Sequence, residues 1–135
     1  MTDRSGDLLA QALQSNETLV DLDVSRNLLR ESAGNLIILA KGLHRLNLSR
    51  QELGRSKQSI ELICRGLSEN RTLLHLDMSG CGLSEEDTRS IADSLKFNRK
   101  CSSAKRENFN HYHVFMKTLT PTLEHRYAFG YSSSW

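Results

Sequence analysis

The stretch TLVDLDVSRNLL, residues 18–29, places apolar residues at a fixed and uneven spacing. Its pattern is L-x-x-L-x-L-x-x-N-x-L, with Val24 in the place of the third leucine. The pattern returns in GLHRLNLSRQEL, residues 42–53, and in TLLHLDMSGCGL, residues 72–83. Three occurrences in one short chain are not expected by chance, so the sequence contains an internal repeat.

The centre of each copy alternates apolar with polar residues. This alternation predicts a short strand with one buried face. We expect the motif leucines Leu22, Leu46, Leu48 and Leu76 to be nearly fully buried. One such strand cannot bury its own apolar face, so the copies are predicted to stack as parallel strands over a continuous core.

The segments between the copies repeat as well. Each carries apolar residues at positions i, i+1 and i+4, which mark one face of a helix. The four sets are Leu9-Ala10-Leu13, Leu39-Ala40-Leu43, Ile63-Cys64-Leu67 and Ile91-Ala92-Leu95. Asn16, Asn70 and Asn98 follow three of these sets at the same distance and are predicted to end their helices in the left-handed conformation. Ser84 and Asp87 predict a capping box at the start of the last helix.

The middle copy is shorter than the others. Twelve residues separate Ala10 from Leu22, but only six separate Ala40 from Leu46. Leu43 must therefore serve both as the last apolar residue of its helix and as the first leucine of the motif. We expect a shortened helix and an irregular junction at this point.

The order L-A-x-x-L, then N-x-T-L-x-x-L-D-V/M-S, then N/C-x-L, resembles the ribonuclease-inhibitor-like leucine-rich repeats over residues 6–100. The resemblance implies an α/β fold, namely a short leucine-rich-repeat solenoid with parallel strands on its concave face and helices on its convex face. Members of that family usually bind other proteins on the concave face. The resemblance therefore implies a non-enzymatic protein–protein interaction module, and it does not select the partner protein.

Polar residues of the predicted strands form three columns across the sheet. The columns are Asp21–Arg45–His75, Asp23–Asn47–Asp77 and Ser25–Ser49–Ser79. On the implied fold they face solvent along the concave surface, and we predict them as the partner-binding site. The alternative interpretation is that they are generic polar residues that keep an open face soluble.

Charge and motifs argue against other classes of protein. The 18 Lys and Arg residues nearly balance the 16 Asp and Glu residues, so no global field attracts nucleic acid or membrane. No apolar run could span a bilayer and no signal peptide is visible, which favours a cytoplasmic protein. No phosphate-binding glycine loop and no nucleophile or zinc motif is present. We therefore predict no enzymatic activity, no cofactor and no metal.

Two of the three cysteines lie at repeat positions. Cys81 occupies the asparagine position of its copy, and Cys64 is the small residue of a buried helix face. Cys81 has no basic or histidine neighbour in sequence that would activate a thiolate, and Cys64, which Arg65 follows directly, lies on the predicted buried face of its helix. Both are interpreted as structural residues with reduced thiols.

The pattern is not found after Asn98. The same offsets place Arg106 where a buried strand residue belongs, and an unpaired arginine is not tolerated there. No aromatic residue precedes Phe97, and the only proline is Pro121. Residues 1–100 are therefore predicted to form the repeats, and residues 101–135 an irregular, aromatic-rich and poorly ordered tail.

Two alternatives follow for this boundary. The tail could instead be a genuine aromatic cap on the last repeat. The first helix, around Leu8–Leu13, has no preceding strand, so both ends of the array look cut from a longer one. The alternative functional hypothesis is a truncated or alternatively spliced fragment with little autonomous function.

Overall fold

The computed structural model describes residues 1–101 and 113–115, with side chains for residues 1–95. The helices are α1 (Asp3–Leu13), α2 (Glu31–Leu39), α3 (Lys57–Glu69) and α4 (Glu85–Cys101), with a 3-10 helix at Leu53–Arg55. The strands are β1 (Asp21–Asp23), β2 (Arg45–Asn47), β3 (His75–Asp77) and β4 (His113–Phe115).

The strands form one parallel sheet in the order β1-β2-β3-β4. A helix lies between each strand and the next along the chain, as is usual for parallel pairs. The register places Leu22 opposite Leu46 and Leu46 opposite Leu76. The copies of the motif therefore pair position by position, as the repeat predicts.

The buried core runs through successive repeats between the sheet and the helices. Leu46, Leu48 and Leu76 are at most 2% exposed, as predicted. The prediction for Leu22 is wrong, because this residue is only partly buried. It lies on β1, the first strand of the sheet, and within the described residues no strand covers the outer side of β1.

The asparagines after the helices do not act as left-handed stops. Asn70 is extended (φ −70°, ψ 136°), and its Oδ1 accepts hydrogen bonds from the backbone N–H groups of Thr72 (2.9 Å) and Leu73 (2.8 Å). Its Nδ2 donates to the carbonyl oxygen of Ile37 at 2.8 Å. Asn16 Oδ1 likewise accepts from the N–H of Leu19 at 2.8 Å. These side chains shape the turn into the next strand.

The shortened middle helix is confirmed. α2 has 9 residues, against 11 in α1 and 13 in α3. After α2 the chain forms an inverse γ-turn at Ala40 (φ −79°, ψ 77°), in which Lys41 N–H donates to the Leu39 carbonyl at 2.9 Å. The following turn lies close to the first repeat, because a Cβ atom on Gly42 would be 2.8 Å from the carbonyl oxygen of Asn16.

Serine side chains begin the last two helices. Ser56 Oγ accepts from Ser59 N–H at 3.3 Å at the start of α3. The capping box of α4 is confirmed: Asp87 N–H donates to Ser84 Oγ at 3.1 Å, and Ser84 N–H donates to Asp87 Oδ2 at 2.9 Å. Reciprocal bonds of this kind satisfy N–H groups that the first turn of a helix leaves unpaired.

The helices α2 and α3 pack closely against each other. A Cβ atom on Gly34 would lie 2.5 Å from Leu62 Cβ, and one on Gly66 would lie 2.9 Å from Ile37 Cγ2. Real Cβ atoms do not approach so closely at well-packed contacts. The two glycines therefore allow the helix axes to come nearer than larger residues would.

The sheet continues further than predicted. α4 runs past Asn98 to Cys101, so Asn98 does not end its helix. β4 then pairs with β3 in parallel, with Val114 opposite Leu76 and Phe115 opposite Asp77. The prediction that no repeat strand follows residue 100 is therefore wrong for His113–Phe115. The predictions for the rest of the tail, and for its role as a cap, lie outside the described residues.

Candidate protein-interaction site

The nine predicted site residues lie along one face of the sheet and at the carboxyl ends of its strands, and we call them the strand-face strip. The first column is aligned by the sheet register, with Asp21 opposite Arg45 and Arg45 opposite His75. Asp21 and Arg45 are exposed and His75 is half-buried. This column therefore presents a carboxylate, a guanidinium and an imidazole side by side on neighbouring strands.

The second column has a structural role that the strip prediction did not include. Each of its members accepts a hydrogen bond from the backbone N–H group two residues further on, which defines an Asx turn at the end of the strand. The three N–O distances are 2.9 Å, and the bonds join Ser25 to Asp23, Ser49 to Asn47 and Ser79 to Asp77. The turns bend the chain away from the sheet in every copy.

The turn also changes the acidity of the first residue in this column. Hydrogen bonds from the Ser25 side chain and backbone lower the pKa of the Asp23 carboxyl below its ordinary value. Asn47 and the nearby Arg26 act in the same direction, while partial desolvation opposes them. Asp23 is exposed, so its charge is displayed on the surface while its oxygen holds the turn.

The serine column is less accessible than predicted. Ser49 is only 9% exposed, and Ser25 and Ser79 are half-buried. Each serine lies two residues after the end of its strand, within the Asx turn. Ser79 Oγ also donates to Asp77 Oδ1 at 2.6 Å. The expectation that these serines face open solvent is therefore wrong for Ser49 and only partly met by the other two.

The residue after each of these serines has a left-handed backbone. Arg26 and Arg50 have φ 57°, and Gly80 has φ 68°. Residues other than glycine rarely adopt this backbone region, so the arginines occupy a position that favours glycine. Both arginines are exposed beside the strip. These arginines were not among the predicted site residues, although S-R, S-R and S-G stand at one position of the three copies.

The asparagine position of the motif joins neighbouring copies. Gln51 Nε2 donates to the Val24 carbonyl at 2.9 Å, and Gln51 Oε1 accepts from Leu29 N–H at 2.9 Å. Cys81 Sγ donates to the Leu48 carbonyl at 3.1 Å. Burial raises the pKa of the Cys81 thiol to about 11. The structural interpretation of Cys81 is thus supported, because its thiol is protonated and bonded at neutral pH.

The other described cysteine gives no sign of reactivity. Cys64 is half-buried, and desolvation raises its pKa. In residues 1–95, where side chains are described, histidine, cysteine and carboxylate groups form no cluster that could hold a metal ion. None of the described helices is long and apolar enough to cross a membrane.

No family model matches the chain, and no curated protein matches it in sequence. Among solved structures, it is similar to the tropomodulin C-terminal domain of Caenorhabditis elegans, with a TM-score of 0.56. The two share 18% sequence identity, and the match covers 79% of this chain and 66% of that domain. At this identity the similarity shows the fold alone, which is leucine-rich-repeat-like.

Proposed function

We propose that this protein is a non-enzymatic interaction module that binds a protein partner through the strand-face strip, together with Arg26 and Arg50. The observation that carries the proposal is the sheet register, which aligns polar side chains from successive copies into columns above a buried apolar layer. Hydrogen-bonded strands hold such columns at about 4.8 Å spacing. A surface fixed in this way loses little conformational entropy when a partner binds.

Within the strip, Asp21 and Arg45 are the strongest candidates for recognition. Both are exposed, and neither takes part in the turns that follow the strands. By contrast, the side chains of Asp23, Asn47 and Asp77 already hold the turns through their oxygens. A partner that offers a base opposite Asp21 and an acid opposite Arg45 would complement the first column.

We also propose that the copies are repeats of the ribonuclease-inhibitor type, arranged as a short solenoid. The support is that an α-helix, rather than an irregular segment, returns the chain from each strand to the next. A cytoplasmic location agrees with the free thiols of Cys64 and Cys81, because reducing compartments keep cysteines unpaired.

The test uses charge reversal on the strip with a control on the helix layer. Proteins captured by the full chain are identified, and the affinity of each purified candidate is measured by calorimetry for wild type, Asp21→Lys, Arg45→Glu and Glu61→Lys. Glu61 is exposed on α3, away from the sheet. We expect the two strip variants to weaken binding and Glu61→Lys to leave it unchanged. Equal loss in Glu61→Lys, with all variants folded, would show that the partner does not bind the strip.

A further inference from the structure

A cleft of 330 Å³ lies where the helices α1, α2 and α3 end, at the edge of the molecule away from the Asx turns. Its residues come from the end of α1, the last turn of α2 and the turn after α3. They are Gln14, Ile38, Leu39, Lys41, Glu69, Asn70, Arg71 and Thr72. This volume is at the lower end of the range of about 300–1,000 Å³ for small-ligand pockets.

The short middle repeat creates the cleft. α3 runs to Glu69, and Asn70 then binds back to the Ile37 carbonyl, which fixes the turn after α3 against the last turn of α2. α2 ends at Leu39, so it does not fill the space beside that turn. Ile38 and Leu39 are half-buried and provide the apolar lining.

The rim of the cleft carries unbalanced positive charge. Lys41 and Arg71 are exposed, and neither forms an ion pair with a carboxylate of residues 1–95. Arg71 Nη1 donates to the Ser68 carbonyl at 3.3 Å, which orients its guanidinium. The carboxylate of Glu69 is paired with Arg65, at 3.3 Å. An occupant of the cleft therefore meets an apolar lining and two cations.

We propose that this cleft docks a short acidic segment of a partner protein, with one apolar side chain of the segment placed on Ile38 and Leu39. Carboxylates beside that side chain would lie near Lys41 and Arg71, where opposite charges favour association. Contacts of a carboxylate with an arginine are also geometrically specific. This second surface is distinct from the strand-face strip, because no residue belongs to both.

The probe is a fluorescein-labelled ten-residue peptide with two central leucines flanked by glutamates, titrated with the full chain and followed by fluorescence anisotropy. A peptide with lysines in place of the glutamates is the matched control. We expect only the acidic peptide to bind, and the double variant Lys41→Glu, Arg71→Glu to raise its Kd about tenfold. Arg4→Glu, an exposed charge reversal on α1, should leave the Kd unchanged.

A second pair of variants tests the apolar lining without changing charge. Ile38→Trp should fill the cleft and weaken peptide binding, whereas Leu8→Trp, at an exposed site of α1, should not. Equal binding of the two peptides, or equal Kd values for the double variant and Arg4→Glu, would overturn the proposal. The proposal would also be overturned if the acidic peptide changed the NMR chemical shifts of the Asp21 and Arg45 amides instead of those of Ile38 and Arg71. Asp21→Lys, which changes only the strand-face strip, should bind the acidic peptide as wild type does. Failure of the proposed function of the strip would therefore not affect the test of the cleft.

Discussion

Gln51 donates a hydrogen bond from Nε2 to the carbonyl oxygen of Val24 at 2.9 Å and thereby connects the second repeat to the first. Its Oε1 accepts the N–H of Leu29 in the same preceding copy. The side chain is 3% exposed, so both bonds are shielded from water. A single amide thus satisfies one donor and one acceptor of the neighbouring repeat.

We predict that Gln51→Leu destabilises the protein by about 2–3 kcal/mol, because it leaves the buried N–H of Leu29 without its acceptor. The measurement is urea unfolding followed by circular dichroism. Gln58→Leu, at an exposed position of α3, is the matched control and should change stability little. If the two variants unfolded at the same urea concentration, the bridging role of Gln51 would be wrong.

Replacing equivalent motif leucines with alanine should destabilise the protein by different amounts, according to the strand on which each leucine lies. Leu76→Ala should destabilise by about 2–5 kcal/mol, because this residue is 1% exposed between two neighbouring strands. Leu22→Ala should cost less, since Leu22 is only partly buried on the first strand. Thermal melts of both variants give the comparison. A larger loss at Leu22 would contradict the packing described for β1.

The Asx turns predict a difference between two aspartates that both belong to the strip. Asp77→Ala should cost about 1–2 kcal/mol, because it removes the acceptor for the N–H of Ser79. Asp77→Asn keeps a side-chain oxygen and should restore most of that stability. Asp21→Ala should have little effect on folding. Chemical denaturation separates these cases, and identical curves for Asp77→Ala and Asp21→Ala would refute the structural role of the turn.

The lowered pKa of Asp23 predicts a pH dependence of stability. Its folded-state pKa lies below its unfolded value of about 3.9, so the carboxylate stabilises the fold at pH values above the unfolded pKa. That contribution is lost as the pH falls through the folded pKa. Asp23→Asn keeps the turn acceptor but removes the titration. We expect it to be less stable than wild type at pH 7 and to approach wild type as the pH falls through the folded-state pKa of Asp23. A constant difference between pH 7 and pH 2 would argue against the ionic contribution.

Much of the fold could be predicted because the apolar residues of each copy recur at the same spacing along the sequence. Each motif leucine meets its equivalent on the next strand, so one pattern predicts strand, register and core together. Leu22 departs from this because burial depends on a neighbour on each side, and the motif describes one copy only. Asn70 departs because its side chain forms an Asx turn, for which an extended backbone serves as well as a left-handed one.

The fourth strand was overlooked because the sequence offsets assumed a constant repeat length. Those offsets placed the next strand around Arg106, whereas the residue opposite Leu76 is Val114. A longer connection after α4 moves the strand without changing its pairing. The shortened second copy already showed that the length of these connections varies in this chain.

The site was predictable in position and less so in chemistry. The three columns follow from the alternation of the strands, but the turns were present in the sequence as D-V-S, N-L-S and D-M-S. An Asp or Asn two residues before a serine N–H is a known turn former. The cleft beside α2 could not be foreseen, since it depends on where three helices end relative to one another.

The close approach of α2 and α3 at Gly34 and Gly66 has a consequence for curvature. Parallel strands are held about 4.8 Å apart by their hydrogen bonds, whereas packed helices usually need 8–10 Å. A difference in spacing between two stacked layers favours bending of the array. Glycine contacts between the helices reduce this difference. Replacing Gly34 with a larger residue would push the helices apart while the strands stayed in place, so the mismatch in spacing between the two layers would grow. The spacing of the helix layer, on the opposite side of the molecule from the strand columns, is then limited by these two glycine contacts.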